Sequence, residues 1–196
     1  TNGATTVNGY NVNLNALGRQ DRMHKRAIDG IMDQTYKDLL AKSFAQANRN
    51  SIDAAINFNN ATSAISLTTP FASESPSNRL EMVAKVIGAR QALGQTRQVF
   101  FVTIGGWDNH SNLINAQANN LPKISRAIKS FYDATTELGV ENDVTLFTAS
   151  DFARTLGSNG QGSDHAWGGN QIVCGGSVDG GKLYGTFPTS LVNPID

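Results

Sequence analysis

Three short runs carry side chains able to bind a metal ion: Trp107-Asp108-Asn109-His110, Ser150-Asp151 and Asp164-His165. Carboxylate oxygens together with imidazole nitrogens suit zinc, manganese or iron, whereas an all-oxygen set would point to magnesium or calcium. Zinc or another first-row ion is therefore the expected cofactor, with calcium or magnesium as the alternative. Asp108, His110, Asp151 and His165 are the expected ligands. Asp164 is either a further ligand or the carboxylate that orients an imidazole. An Asp-x-His step in a loop is a weak signal by itself, and the weight rests on three such clusters converging.

The commoner uses of these residues stand beside that reading. Asp108 and Asp151 could cap helices or close Asx turns, and Asp164-His165 could be a hydrogen-bonded turn. Arg154, three residues past Asp151, could hold an anionic group bidentately, and a structural salt bridge is an equal alternative. Trp107 and Trp167 flank the clusters and either wall a pocket or pack the core, with no catalytic role assigned. His24, among Arg22, Lys25 and Arg26, reads as a solvated side chain, and Cys174 as a buried small hydrophobe.

Elements must bring those clusters together. Residues 1–20 show a weak alternation through Val7, Tyr10, Val12 and Leu14 that predicts a short strand or extended arm. Residues 21–94 read as helical, with apolar positions such as Ile28, Ile31, Leu39, Phe44, Ile52 and Ile56 at helical spacing. A loop at 68–77 interrupts them. Asn78 with Glu81 forms a capping-box variant for a helix ending near Leu93, before Gly94. Residues 98–104, Gln-Val-Phe-Phe-Val-Thr-Ile, predict a strand buried on both faces. A helix with Pro122 in its first turn follows, then a second buried strand at 144–149.

Strand, helix and strand over 95–155 make a βαβ unit, in which the strands run parallel. The expected fold class is α/β, a mostly parallel sheet flanked by helices. Both strands end in candidate ligands, and open α/β sheets bind ligands at the carboxyl ends of their strands. Residues 156–196 are expected to form a glycine-rich metal loop and a hairpin, the latter pairing Gln171-Ile172-Val173-Cys174 with Leu183-Tyr184-Gly185 across Val178–Lys182. The whole of 1–196 reads as a single domain.

Equal numbers of acidic and basic residues, 16 each, leave no electrostatic footprint for nucleic acid. No apolar run reaches the roughly 20 residues of a membrane span. The single cysteine excludes an internal disulfide. Small-molecule or polymer substrates are the expected partners.

Gly105-Gly106-Trp107-Asp108-Asn109-His110, then Phe147-Thr148-Ala149-Ser150-Asp151-Phe152-Ala153-Arg154-Thr155, then Gly162-Ser163-Asp164-His165-Ala166-Trp167-Gly168 resemble a bacterial, sulfatase-like family, domain of unknown function 1501. The resemblance extends from Leu80 to at least Pro188. It implies an alkaline-phosphatase-like architecture, incomplete at both ends here, with other parts of the same polypeptide as partners. It further implies an exported protein, periplasmic or secreted, that hydrolyses phosphate or sulfate esters with a nucleophile outside this chain. Asp108, His110 and His165 would correspond to one metal site and Asp151 to a second. Phe152 stands where that superfamily commonly has His, and Ala153, Ala166 and Asn109 replace the usual Gly, Gly and Thr. These departures motivate a rival expectation, an exported binding or surface-assembly protein that keeps the fold without turnover.

Overall fold

The computed structural model describes residues 18–166, 168–186 and 189. The expected arm over 1–20 therefore lies almost wholly outside the described residues, as does Trp167. The chain divides into two compact units. One runs through Ser66 and includes Lys85–Gln98; the other comprises Leu67–Ala84 and the chain from Val99 onward.

In the first unit, α1 spans Arg19–Met32 and α2 spans Leu39–Ser63. Asp38 starts α2, its Oδ1 accepting from the Ala41 amide at 2.8 Å, which satisfies one of the orphan N–H groups of the first turn. Ala45, Ile52, Ala55 and Thr62 recur along one side of α2 and are buried, the stripe that apolar spacing predicts. α1 buries no residue and is tied by charge: Arg49 of α2 reaches Asp29 at 3.2 Å and Asp33 at 3.1 Å. α3, Ser77–Gly88, whose residues through Ala84 belong to the second unit, begins one residue before the Asn78 expected to cap it, and it stops at Gly88 rather than near Leu93. Residues 89–94 continue as hydrogen-bonded turns, closing where Gly94 adopts φ +64°.

In the second unit the long element is α4, Leu113–Glu137, started by Asn112 in the left-handed region. Pro122 lies inside this helix rather than in its first turn. The start moves to Leu113 because the chain turns at Asn112 and the preceding loop is anchored there, the Leu113 amide donating to Gln161 O at 3.0 Å. Ala127, Phe131, Ala134 and Thr135 form its buried side. Glu137, in the last turn, accepts from the backbone amides of Thr68 and Thr69 at 2.6 and 2.9 Å.

The expectation of a mostly parallel, alkaline-phosphatase-like α/β sheet is overturned. The described strands are four pieces of two residues, in two antiparallel pairs. β1, Leu146–Phe147, pairs with β4, Val173–Cys174, and β2, Ala153–Arg154, pairs with β3, His165–Ala166. The run 98–104 forms no ladder: among the described residues, no backbone-to-backbone hydrogen bond reaches 99–104, and Val99 and Phe101 are 98% and 91% exposed. An apolar β-branched run favours an extended backbone but does not choose its neighbour. The partner it was expected to share a sheet with, 144–149, is engaged by β4 instead. The predicted hairpin between 171–174 and 183–185 is likewise replaced by this β1–β4 pair. Cys174, on β4, is half-buried rather than buried. No described helix is long and apolar enough to cross a membrane.

Candidate metal centre

The site is built on the β2–β3 ribbon and the loop it closes. Arg154 pairs with His165 and, one step further, with Gly168, exchanging backbone hydrogen bonds of 2.8 and 3.0 Å with the latter. The connecting loop is then stitched to the segment before α4. Asn159 Nδ2 donates to His110 O at 3.0 Å, while its Oδ1 accepts from the amides of Gln161 and Gly162. Gly162 sits so close to His110 that an added Cβ would lie 2.5 Å from the His110 carbonyl carbon. Only a residue without a side chain permits that approach.

This stitching lays Asp164 and His165 over Asp108 and His110. His165 Nε2 lies 2.8 Å from Asp108 Oδ1, and His110 Nε2 lies 3.0 Å from the same oxygen. The opposite nitrogen of His110, Nδ1, is 2.9 Å from Asp164 Oδ1. The two imidazoles face each other with centroids 5.0 Å apart, and Phe152 stacks on His165 at 4.3 Å. All three donor side chains remain about half exposed, so the cluster is open on one side.

Electrostatics follow from the contacts. The hydrogen bond from His165, then the charges of His165, His110 and Arg154, hold the Asp108 carboxyl below its ordinary value of 3.8 despite some desolvation. Asp164 is lowered likewise, chiefly by its hydrogen bond with His110. Arg154 is the strut of the site. Its guanidinium donates to Ser163 O at 2.6 Å and to Trp107 O at 2.7 Å, and reaches Asp108 Oδ1 at 3.2 Å. Its Cζ also lies 4.7 Å from the centre of the Phe152 ring. These contacts give it an internal ion pair rather than a free fork for an anion.

The donor set fits a metal ion. One ligand atom each from Asp108, His110 and His165 lie within 4.8 Å of one another, the only such group among the described residues. Two imidazole nitrogens and a carboxylate oxygen with an open side match the three-ligand sets of catalytic zinc and related ions. Asp164, on the far nitrogen of His110, occupies the orienting position that metal-bound histidines usually have. Asp151 stands outside this group, exposed, beside a turn in which the Phe152 amide donates to Ser150 Oγ at 3.4 Å. Trp107 is half-buried, and its carbonyl serves Arg154.

Reading the sequence missed Asn159, Gly162 and Ser163, which position the ligands without contacting the donor atoms. The Asn-Gly-Gln-Gly run at 159–162 was the available signal, since Asn and Gly together mark a tight turn.

The chain belongs to the family described as protein of unknown function (DUF1501), whose model matches residues 5–195. No curated protein and no solved structure matches it.

Proposed function

We propose that this member of the DUF1501 family binds one divalent first-row metal ion through Asp108, His110 and His165, and that it is a metal-dependent hydrolase of phosphate or sulfate esters. The observation that carries the reading is the convergence of two imidazoles, from separate segments, on one carboxylate oxygen. His110 faces a carboxylate at each ring nitrogen. A neutral imidazole has one donor and one acceptor, so it satisfies only one of those carboxylates. A cation on the other nitrogen, or protonation of the ring, resolves the mismatch.

A bound ion of this class supplies Lewis acidity toward an ester oxygen and stabilises developing negative charge. The chain's own residues prepare the place. Asp164 sets the orientation of His110, Arg154 holds Asp108 and ties the two backbone segments together, and Phe152 covers one face of His165. The open side of the cluster leaves room for an ester to approach.

Metal content after equilibration with zinc or manganese and gel filtration tests the first half of the reading. About one ion per chain is expected, and Asp108→Ala is expected to lose it; unchanged content in that variant would remove the reading. Turnover of aryl phosphates and sulfates by the loaded protein tests the second half. The exported location rests on the family resemblance, and recovery of the protein from the periplasmic or secreted fraction of its cells would support it.

A second reading, an exported binding or surface-assembly protein without turnover, is favoured by Asp151 standing apart and by Arg154 being engaged internally. Stoichiometric metal without metal-dependent hydrolysis of either ester class would select it.

A further inference from the structure

Beside the metal centre, within the same unit, lies a cavity of about 230 Å³ lined by Ser75, Arg79, Trp107, Asn120 and Lys123 among others. Its polar side chains are the Ser75 and Thr103 hydroxyls, the Asn120 amide and the cations of Arg79 and Lys123. No carboxylate lines it, although two cationic side chains do. Lys123 is half-buried and makes no ion pair or hydrogen bond among the described residues. Glu74, the acid nearest in sequence to the cavity's Ser75 edge, is paired with Arg126 at 2.7 Å.

Nothing of opposite charge in the lining offsets the Lys123 ammonium. Arg79 is held in place by one hydrogen bond, Nη1 to Thr103 O at 2.6 Å, which leaves most of its donors free. Asn120 is likewise fixed, its Nδ2 donating to Gly106 O at 3.0 Å, with a second N–H remaining. The result is a small recess with surplus positive charge, surplus donors and a tryptophan at its wall. That inventory matches a tetrahedral oxyanion, whose several oxygens accept from all of these groups at once.

We infer that this cavity is an oxyanion-binding site, taking phosphate or sulfate, free or as the terminal group of an organic ester, through Lys123 and Arg79. The site does not depend on the metal centre, although the two share a border. Trp107 lines the cavity, and the next residue, Asp108, is the ligand at the centre of the metal cluster. An ester held by one anionic group in the cavity would lie next to the metal centre, so the substrates it selects are those carrying an anionic group besides the bond to be broken.

Titration calorimetry of the whole chain with inorganic phosphate, sulfate and phenyl phosphate, in chelator, provides the test. Saturable binding is expected for the wild type and for Asp108→Ala, with Lys123→Gln and Arg79→Gln each weakening it about tenfold or more, and Lys123→Arg retaining more affinity than Lys123→Gln. Tighter binding of phenyl phosphate than of phosphate identifies an ester as the source, and equal binding identifies the free ion; both support the site. Absence of saturable binding, indifference to both Gln variants, or loss of binding on chelation would each overturn it. Should Lys123→Gln unfold by circular dichroism, Arg79→Gln carries the same decision. Anion binding that survives while no variant of the chain binds metal would leave this inference standing and remove the metal reading.

Discussion

Asp108 Oδ1 receives His110, His165 and Arg154 at 2.8 to 3.2 Å, so one atom organises the whole cluster. The carboxylate of Asp164 does the complementary work on His110, fixing which ring nitrogen faces the cluster. Asp164→Asn is expected to lower metal affinity about 10- to 100-fold while leaving one ion per chain, as removal of outer partners of metal-bound histidines generally does. Equilibrium dialysis against zinc would show this, and unchanged affinity would deny Asp164 its orienting role. Gly162→Ala is expected to do comparable damage without altering a donor atom, because its Cβ would meet the backbone of Asn109 and His110 within 2.6 Å. The variant should remain folded by circular dichroism yet bind metal at least tenfold more weakly. Unaltered binding would mean that the loop can move away without consequence. The residue types of the Asp108, His110 and His165 cluster were legible along the chain. The supporting contacts were not, because Asn159, Gly162 and Arg154 act across the fold rather than along the chain.

At the scale of elements, helices were far more legible than strands. A helix makes its hydrogen bonds within itself, so apolar spacing and a capping residue announce it locally, as Asp38 does for α2. Pro122 misled because its preference for the first turn is only a tendency, outweighed here by the long buried stripe of α4. That stripe makes a prediction: Phe131, 5% exposed, is its large apolar member. Phe131→Ala should destabilise the unit by about 3–5 kcal/mol in denaturant melts, the usual cost of emptying a buried aromatic position. A loss below about 1 kcal/mol would mean that α4 is held by contacts other than this face. A strand, in contrast, is complete only when another segment donates to it. The runs 98–104 and 144–149 carry strand composition, yet among the described residues one forms no ladder and the other pairs antiparallel over two residues.

For the larger unit, contacts between distant segments set the response to pH. Glu137 accepts from the Thr68 and Thr69 amides and from the Thr69 hydroxyl, and these bonds pull its carboxyl from 4.5 to about 2. A carboxyl depressed on folding contributes stability that is present above its unfolded value and is lost as pH falls toward the folded one. The window is therefore about pH 4.5 down to 2. Urea melts at pH 6 and pH 3 should show the wild type losing more stability than Glu137→Gln over that interval. Equal losses would mean that the carboxylate contributes nothing to acid sensitivity. Asp108 and Asp164, also lowered, act in the same direction at the histidine cluster.

Local chemistry along the chain announced the helical stretches and the residue types able to hold a first-row ion. Pairing was settled only in the folded chain. Whether two extended runs share a sheet, whether Asp151 joins the cluster, and whether Arg154 meets an anion or the backbone all depend on which distant groups lie beside them. A side chain's type limits its partners, but the free energy of each contact belongs to two segments at once. A one-dimensional reading sees only one of them. The candidate donor residues were readable because their chemistry is carried by each side chain; the parallel sheet was misread because a ladder belongs to no single strand.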